Sequence, residues 1–453
     1  MLTRTARATF RSVVAVFLTA AVGSGLSGCN DYLTGTKLRH NPNDPSTAGL
    51  NNLFTSIQIN VTTRLEDQLA RTVCIWMQQC AGQIPPFNSI GEYAVGEDDY
   101  YTDWAGFYGG GGLIDLHTVE SKSLQIGDSI YAGQAAVLEA LLIATAADVW
   151  GDIPYSQAGT PSIPAPALDS QRVVYDSLEK KLASAVVYLG AGGPSNAGAG
   201  AADLVYGGDP VKWTALANTL RARIFLHMAL RLGTAAYDSA AAAASAGIAA
   251  GGDYVSVNNS TAQLSNLWSQ FSTIYAGNIV AGKFLVDLMN GEPGGPDPRL
   301  PEYFDPNSAG VFAGADPGVT GGDFSPINTE VRTAPAFPQP FVTYAENELI
   351  QAEADVQTGN PAGALVHLNN ELSTAGAPPA TSATLQSVMT EKYIAEFQNI
   401  EVWSDWRRTG IPALVPYNGG TIPRRLVYPL SERNANKKIT GPGPSRNWND
   451  PGP

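Results

Sequence analysis

The sequence contains little histidine and cysteine and is short of positive charge. Its 453 residues include four His and three Cys, and 27 Lys and Arg stand against 41 Asp and Glu, a net charge of −14. So few His and Cys argue against a zinc or other transition-metal centre. The deficit of Lys and Arg argues against nucleic-acid binding, because phosphate neutralisation needs those side chains.

Long apolar runs are also missing beyond residue 28. No later segment reaches the ~20 continuous apolar residues of a membrane-spanning helix, so we expect no such helix in the body of the protein. The Gly-x-Ser-x-Gly motif of many hydrolases is absent, and no Ser, His or Cys nucleophile motif is found. These absences favour a binding protein over an enzyme.

The first 28 residues have the pattern of a secretory signal peptide. Three Arg form a positive n-region ahead of the short apolar stretch 12–26. Small residues directly before Cys29 are typical of a bacterial lipobox, although an ordinary cleavage site could also precede a cysteine. We predict cleavage before Cys29, its acylation by chains such as palmitate, and a tether over residues 29–45.

The predicted mature chain is more acidic than its precursor. Residues 1–28 contain three Arg and no acid, so their removal moves the net charge from −14 to −17. Such a body should not lie flat on an anionic membrane. An acidic body suits a domain that only its acyl chains hold on the membrane. Each methylene group buried in the membrane contributes ~0.8 kcal/mol to the free energy of binding.

Cys74 and Cys80 are the remaining cysteines, and both are expected in an oxidising compartment. On one continuous helix their side chains would point about 120° apart, too divergent to bond. A disulfide therefore requires the helix to end between them. We favour the alternative of two buried thiols.

Apolar residues spaced by three and four predict a mainly α-helical body. A long helix is predicted from Gln134 to Trp150, ending at Gly151. Ser170 is predicted to cap another helix that runs to about Leu189.

The clearest structural unit is a helical hairpin near residues 345–372. Gly359 stands where a helix C′ glycine belongs, Asn360 can serve as an N-cap, and Pro361 as the first residue of the next helix. The hairpin spans about 32 residues, close to the ~34 of a tetratricopeptide unit. We predict a scaffold of such helical pairs in a single domain, 46–453, with a long irregular insertion at about 291–341.

Six motifs in a fixed order carry a resemblance to a known family. Asp148 to Tyr155, with the sequence DVWGDIPY, is the most specific of them. The others are Asn41-Pro42-Asn43, Asp297-Pro298-Arg299-Leu300, Ala352-Glu353-Ala354 with Leu368-Asn369, Trp403 to Arg408, and Arg425 to Asn434. With these motifs behind a lipobox, the chain resembles the SusD/RagB family over nearly its whole mature length.

The resemblance implies a fold, a location and a partner. It implies a SusD-like scaffold of tetratricopeptide-like helical pairs with ligand-binding loops on one face, anchored by lipid in the outer membrane. It further implies that the protein captures nutrient, usually oligosaccharide and in some members peptide. The ligand would be delivered to a SusC-like TonB-dependent transporter.

Most of the family motifs are interpreted as structural. We expect the Trp150 ring to pack and Asp152 to accept bonds from backbone amides. We expect Arg407 and Arg408 to form ion pairs and carbonyl contacts. Asp297-Pro298-Arg299 is interpreted as a turn; a structural calcium site there is the alternative, but the six or more oxygen ligands that calcium needs cannot be located.

Aromatic residues in irregular segments are the candidates for ligand binding. Sugars stack their C–H faces on aromatic rings, and amides or carboxylates bond their hydroxyls. Three tyrosines, one tryptophan and one phenylalanine crowd the segment 98–108 before a four-glycine break, and two further clusters lie near residues 76 and 268. The candidate ligand-binding residues are Trp76, Gln78, Gln79, Asp99, Tyr101, Trp104, Tyr108, Trp268 and Tyr275.

Alternatives stand beside this interpretation. Trp104 and Tyr108, four residues apart, could instead form the core stripe of one helix. A glycoside hydrolase would need two carboxylates about 5–9 Å apart, whereas the adjacent Asp98 and Asp99 point apart in most backbone geometries. A structural or adhesive lipoprotein without a small ligand is the third possibility. We predict that Trp104→Ala weakens ligand binding and leaves the fold intact.

Overall fold

A computed structural model of the protein describes residues 49–291 and 295–450. The signal peptide 1–28, the lipidation residue Cys29, the tether 29–45 and the Asn-Pro-Asn motif lie outside the described residues, so those assignments stay predictions. From Leu50 onward the described chain forms one compact unit.

The unit is mainly α-helical, as predicted. The longer helices are α1 (Leu50–Glu66), α2 (Gln68–Trp76), α4 (Tyr101–Tyr108), α5 (Leu113–Gln125), α6 (Ser129–Trp150), α7 (Gln171–Leu189), α8 (Pro210–Leu232), α9 (Thr234–Ala244), α10 (Leu267–Ile274), α11 (Lys283–Asn290), α13 (Tyr344–Thr358), α14 (Pro361–Thr374), α15 (Leu385–Ala395) and α16 (Glu401–Thr409). Three short helices are α3 (Phe87–Gly91), α12 (Leu300–Tyr303) and α17 (Leu430–Ala435).

The helices pack mainly against their neighbours in the chain. Helix α6 packs on α5 and α7, α7 on α8, α8 on α9, and α13 on both α9 and α14. This succession of helical pairs is the predicted scaffold. The rest of the described chain consists of short helices, short strands and irregular segments. Two antiparallel strand pairs join distant segments: β1 (Cys80–Gly82) with β3 (Ile279–Ala281), and β2 (Tyr254–Val255) with β4 (Pro340–Val342).

Helix α6 is the centre of the core. All of its residues from Ile130 to Trp150 are buried, which explains why it is apolar on every face. By length and average hydropathy it is the one helix of the described chain that could cross a membrane, yet it is enclosed by protein. Sequence inspection expected no such helix because Gln134, Glu139 and Asp148 interrupt the apolar run. A helix buried in a core passes the same test, so the finding is weak evidence for a span.

The predicted hairpin of α13 and α14 is confirmed at its turn. Gly359 adopts a left-handed conformation with φ of 84°. The Asn360 side chain accepts a hydrogen bond from the Gly363 amide at 3.2 Å, and α14 begins at Pro361. The cap of α7 is confirmed as well, since the Ser170 hydroxyl accepts a bond from the Val173 amide.

Cys74 and Cys80 form a disulfide, so the prediction of two buried thiols was wrong. Helix α2 ends at Trp76, and Gln78 takes a φ of 57° that turns the chain back toward the helix. Cys80 then opens β1, which brings its Cα within 5.1 Å of the Cα of Cys74. The helix end that a disulfide requires therefore lies between the two residues.

The family motifs have the expected structural contacts. Asp152 accepts a bond from the Gln171 amide at 2.8 Å, and Arg407 donates to the carbonyls of Asp148 and Arg424. Arg408 pairs with Glu353 and Asp405.

The Asp297 motif forms a turn. Both Asp297 carboxylate oxygens accept bonds from Arg299, one of them from its guanidinium at 2.6 Å. Since a guanidinium already satisfies this carboxylate, the contacts favour the turn over a calcium site.

Candidate functional site

A cleft of about 520 Å³ lies between helix α4, the segment 154–166 and helix α17. We call it the aromatic cleft, because three of the predicted residues form one of its walls: Tyr101, Trp104 and Tyr108. The opposite wall is rich in proline. Its lining residues include Ile114, Pro154, Thr160, Pro161, Ile163, Pro164, Pro166 and Glu432.

Helix α4 positions the aromatic wall. Tyr101 and Trp104 are three residues apart and Tyr108 follows after four, so the three lie along one side of the helix. Tyr101 is 45% exposed at the mouth of the cleft, whereas Trp104 is 3% exposed. The Trp104 ring stands edge-on to Trp150 with centroids 5.2 Å apart. Trp104 therefore belongs both to the helix's core stripe and to the cleft wall.

Tyr108 completes the aromatic wall with its ring. Its hydroxyl has no hydrogen-bond partner among the described residues. Burial, together with the nearby negative charge of Glu432, raises the Tyr108 pKa well above its usual value. The hydroxyl stays protonated at neutral pH, but it is covered by the protein, so Tyr108 contributes its ring and not its hydroxyl to the cleft.

The proline-rich wall is held by Asp169. Its carboxylate accepts bonds from the amides of Tyr155 and Ser156, at 3.1 and 2.6 Å. Ile153 and Asp169 also exchange backbone bonds. Sequence reasoning missed this wall and Glu432; the clustered prolines 154, 161, 164 and 166 were the only signal that could have pointed to it.

Three other candidates lie in the interior. The Trp76 indole donates to the Ile90 carbonyl at 3.1 Å, and the Gln79 amide donates to the Tyr393 carbonyl at 2.7 Å. Trp268 is 1% exposed. These side chains are covered by the protein itself, so we leave them out of the proposed site.

The remaining candidates are exposed or line other cavities. The Asp99 carboxylate accepts a bond from the Gly96 amide at 2.6 Å and lies outside the lining of the aromatic cleft. Tyr275 lines a cavity of about 120 Å³, together with one edge of Trp268. Gln78 lines a separate cleft of about 400 Å³.

A cavity larger than the aromatic cleft lies elsewhere. It measures about 580 Å³ and is lined mostly by alanine and glycine, with Lys212 as its one charged residue. It has no aromatic ring, and few polar groups to orient a ligand. We therefore prefer the smaller aromatic cleft, which combines a stacking surface with hydrogen-bonding groups.

One buried cluster has the residue types of a metal site. Donor atoms of Asp148, His227 and Glu401 lie within 4.8 Å of one another. However, the two ring nitrogens of His227 face different carboxylates, and the negative charges of Asp148 and Glu401 overcome burial and raise its pKa to about 10. Each carboxylate pairs with a different nitrogen of the ring, so the contacts present are those of an internal ion-pair network.

Two family models match the chain. The first, described as "Starch-binding associating with outer membrane" and named SusD-like_2, matches residues 42–370. The second, SusD-like, described as "Susd and RagB outer membrane lipoprotein", matches residues 366–442. No characterised protein matched the chain by sequence.

Solved structures share the fold. A chitin-binding SusD homologue from Flavobacterium johnsoniae superposes with a TM-score of 0.74 at 20% identity, covering 88% of this chain and 98% of that one. A SusD-like protein from Bacteroides thetaiotaomicron gives a TM-score of 0.71 at 22% identity, and the match covers 86% of this chain and 94% of that one. A SusD/RagB family protein of the same species gives 0.70 at 19% identity, covering 90% and 100%. At these identities the likeness concerns the fold.

Proposed function

We propose a function from the premise that this chain belongs to the SusD-like family, whose model matches residues 42–370. The protein is a lipid-anchored lipoprotein of the outer membrane that captures an oligosaccharide at the cell surface. It passes the ligand to a SusC-like TonB-dependent transporter. The family descriptions and the predicted lipobox at Cys29 support the location and the anchor.

The aromatic cleft is the observation that carries the proposal. The exposed ring of Tyr101 offers an apolar face on which a sugar ring can stack, and Trp104 supports the wall beside it. Glu432 can accept hydrogen bonds from sugar hydroxyls. The described lining contains no Lys or Arg, which favours an uncharged glycan over an acidic one. Two structural relatives of this fold are described as chitin-binding.

Binding without catalysis fits the same cleft. Glu432 is the one carboxylate among its described lining residues, whereas glycoside hydrolysis ordinarily uses a pair of carboxylates flanking the scissile bond. Incubation with oligosaccharides should therefore produce no new reducing ends. A steady release of reducing ends by the pure protein, lost in Glu432→Gln, would support the hydrolase alternative.

Calorimetry on the mature, detergent-extracted lipoprotein tests the proposal. Maltohexaose, chitohexaose and a peptide mixture are titrated separately, and Tyr101→Ala is compared with the native chain. We expect saturable binding of at least one oligosaccharide and about tenfold weaker binding in the variant. Binding of peptides alone would favour a peptide receptor, and binding of neither would favour a structural or adhesive role.

A further inference from the structure

A second cleft, of about 400 Å³, is built from three separate segments of the chain. Gln78 follows helix α2, residues 316–319 belong to the long irregular segment, and residues 415–418 follow helix α16. Lys283, Phe284 and Asp287 of helix α11 complete it. We call it the polar cleft; it shares no lining residue with the aromatic cleft.

Strained backbone is concentrated around the polar cleft. Four non-glycine residues of the described chain have positive φ, and three of them belong to this region: Gln78 at 57°, Tyr93 at 65° and Asn418 at 47°. The fourth, Gln398, is buried at the end of α15. Such conformations persist only where surrounding contacts enforce them, and they are common at ligand sites.

The strained residues hold one segment in place. The Gln78 amide donates to the Val415 carbonyl at 2.6 Å, and the Tyr93 hydroxyl accepts from the Tyr417 amide at 3.1 Å. Gly318 lies against the Tyr417 ring so closely that a Cβ there would stand 2.2 Å from a ring carbon. Tyr417 is therefore fixed from three directions, although it lies at the surface of an open cleft.

The chemistry of the polar cleft suits an uncharged, hydroxyl-rich ligand. Lys283 pairs with Asp287, and Asp316 adds a second carboxylate, so the lining carries one positive and two negative charges. An anionic ligand would be repelled. Two carboxylates and the Asn418 amide can bond hydroxyl groups, and the rings of Tyr417 and Phe284 offer apolar faces.

We propose that the polar cleft is a second binding subsite for an uncharged oligosaccharide, in which Tyr417, fixed by Gln78, Tyr93 and Gly318, provides the stacking surface. This inference rests on the proposed function, because it assigns a further part of the same ligand to a different place on the protein. A chain with two separate subsites binds a long oligosaccharide more tightly than a short one whenever both can be occupied at once.

The experiment compares Tyr417→Ala, Tyr101→Ala and Tyr188→Ala in the full mature lipoprotein. Tyr188 is a partly buried tyrosine of helix α7 outside both clefts and serves as the matched control. Each protein is titrated with maltotriose, chitotriose and the two hexasaccharides by calorimetry, and circular dichroism verifies folding. Gly318→Ala is the second variant, since it displaces the Tyr417 ring without removing it.

We expect two trisaccharides per native chain and one per chain in Tyr417→Ala, with Gly318→Ala weakening the same subsite about tenfold. Tyr101→Ala should remove the other trisaccharide, and Tyr188→Ala should behave as the native chain.

If Tyr101→Ala abolishes all binding while Tyr417→Ala and Gly318→Ala bind as the native chain does, the second subsite is refuted and the proposed function stands. If Tyr417→Ala abolishes all binding while Tyr101→Ala binds as the native chain does, the polar cleft is the binding site and the aromatic cleft is not. A native chain that binds none of the four oligosaccharides overturns both proposals.

Discussion

His227 Nδ1 lies 3.0 Å from Asp148 Oδ1 in the centre of the protein, where both side chains are buried. The contact is an ion pair rather than a linear hydrogen bond, and the opposite nitrogen of the ring bonds Glu401. One imidazole thus joins α6, α8 and α16. Asp148 is the first residue of the DVWGDIPY motif, which gives that motif a role in the core besides ending a helix.

The charge of His227 predicts how stability depends on pH. Its pKa rises from 6.5 to about 10, because the attraction of two carboxylates exceeds the opposing effect of burial. A pKa raised in the folded state means that the contribution is fully present below pH 6.5 and is lost as the pH rises through about 10. We expect the free energy of unfolding, measured in urea, to fall between pH 8 and pH 10.

The matched variant is His227→Gln, which removes the positive charge that Asp148 and Glu401 share in the interior. We expect it to lose about 3–5 kcal/mol at pH 7 and to show a smaller decline between pH 8 and pH 10. An equal decline of the free energy of unfolding in the native chain and in the variant would show that other groups cause the loss of stability above pH 8.

Trp104→Ala should lower stability as well as ligand affinity. The sequence predicted an intact fold for this variant, but Trp104 is 3% exposed and packs against Trp150 and Tyr428. Removing a buried tryptophan typically costs about 3–5 kcal/mol. Urea unfolding should therefore show a large loss for Trp104→Ala and little change for Tyr101→Ala, which is 45% exposed. Similar midpoints for the two variants would contradict the packing described for Trp104.

Gly359→Ala tests the turn between α13 and α14. The glycine has φ of 84°, and no atom lies within 4 Å of an added Cβ, so any loss arises from backbone strain alone. We expect a loss of about 1–2 kcal/mol. Gly192→Ala is the control, because it also has open space and lacks a positive φ. Two variants of equal stability would argue against the left-handed turn.

Cys29→Ser tests the predicted anchor. In cells fed a labelled fatty acid, we expect the native protein to carry the label and fractionate with the outer membrane, because several acyl chains bind far more strongly than one. The variant should carry no label and should leave the membrane fraction. A variant that stays in that fraction without label would show that protein contacts alone retain it.

Local sequence determined the elements that depend on neighbouring residues. The turn Gly359-Asn360-Pro361, the Ser170 cap and the end of α6 at Gly151 follow from backbone preferences and short-range hydrogen bonds, so they could be predicted. The sequence also identified the family, because its motifs are contiguous. The three aromatic residues of α4 were predicted as a group because they cluster before the four-glycine break, although their segment is a helix and not irregular as predicted.

Tertiary structure alone decided which aromatic and amide side chains reach a cleft. By sequence alone, Trp76 and Gln79 were candidates in the same way as Tyr101. In the folded chain the Trp76 indole bonds the Ile90 carbonyl, and the Gln79 amide bonds the carbonyl of Tyr393, which is distant in sequence. The disulfide depended on where α2 ends and on the strand that follows. The wall opposite Tyr101 comes from residues 154–166 and Glu432, and the polar cleft from segments about 240 and 340 residues beyond Gln78. Burial and long-range contact are properties of the packed chain, and no local pattern contains them.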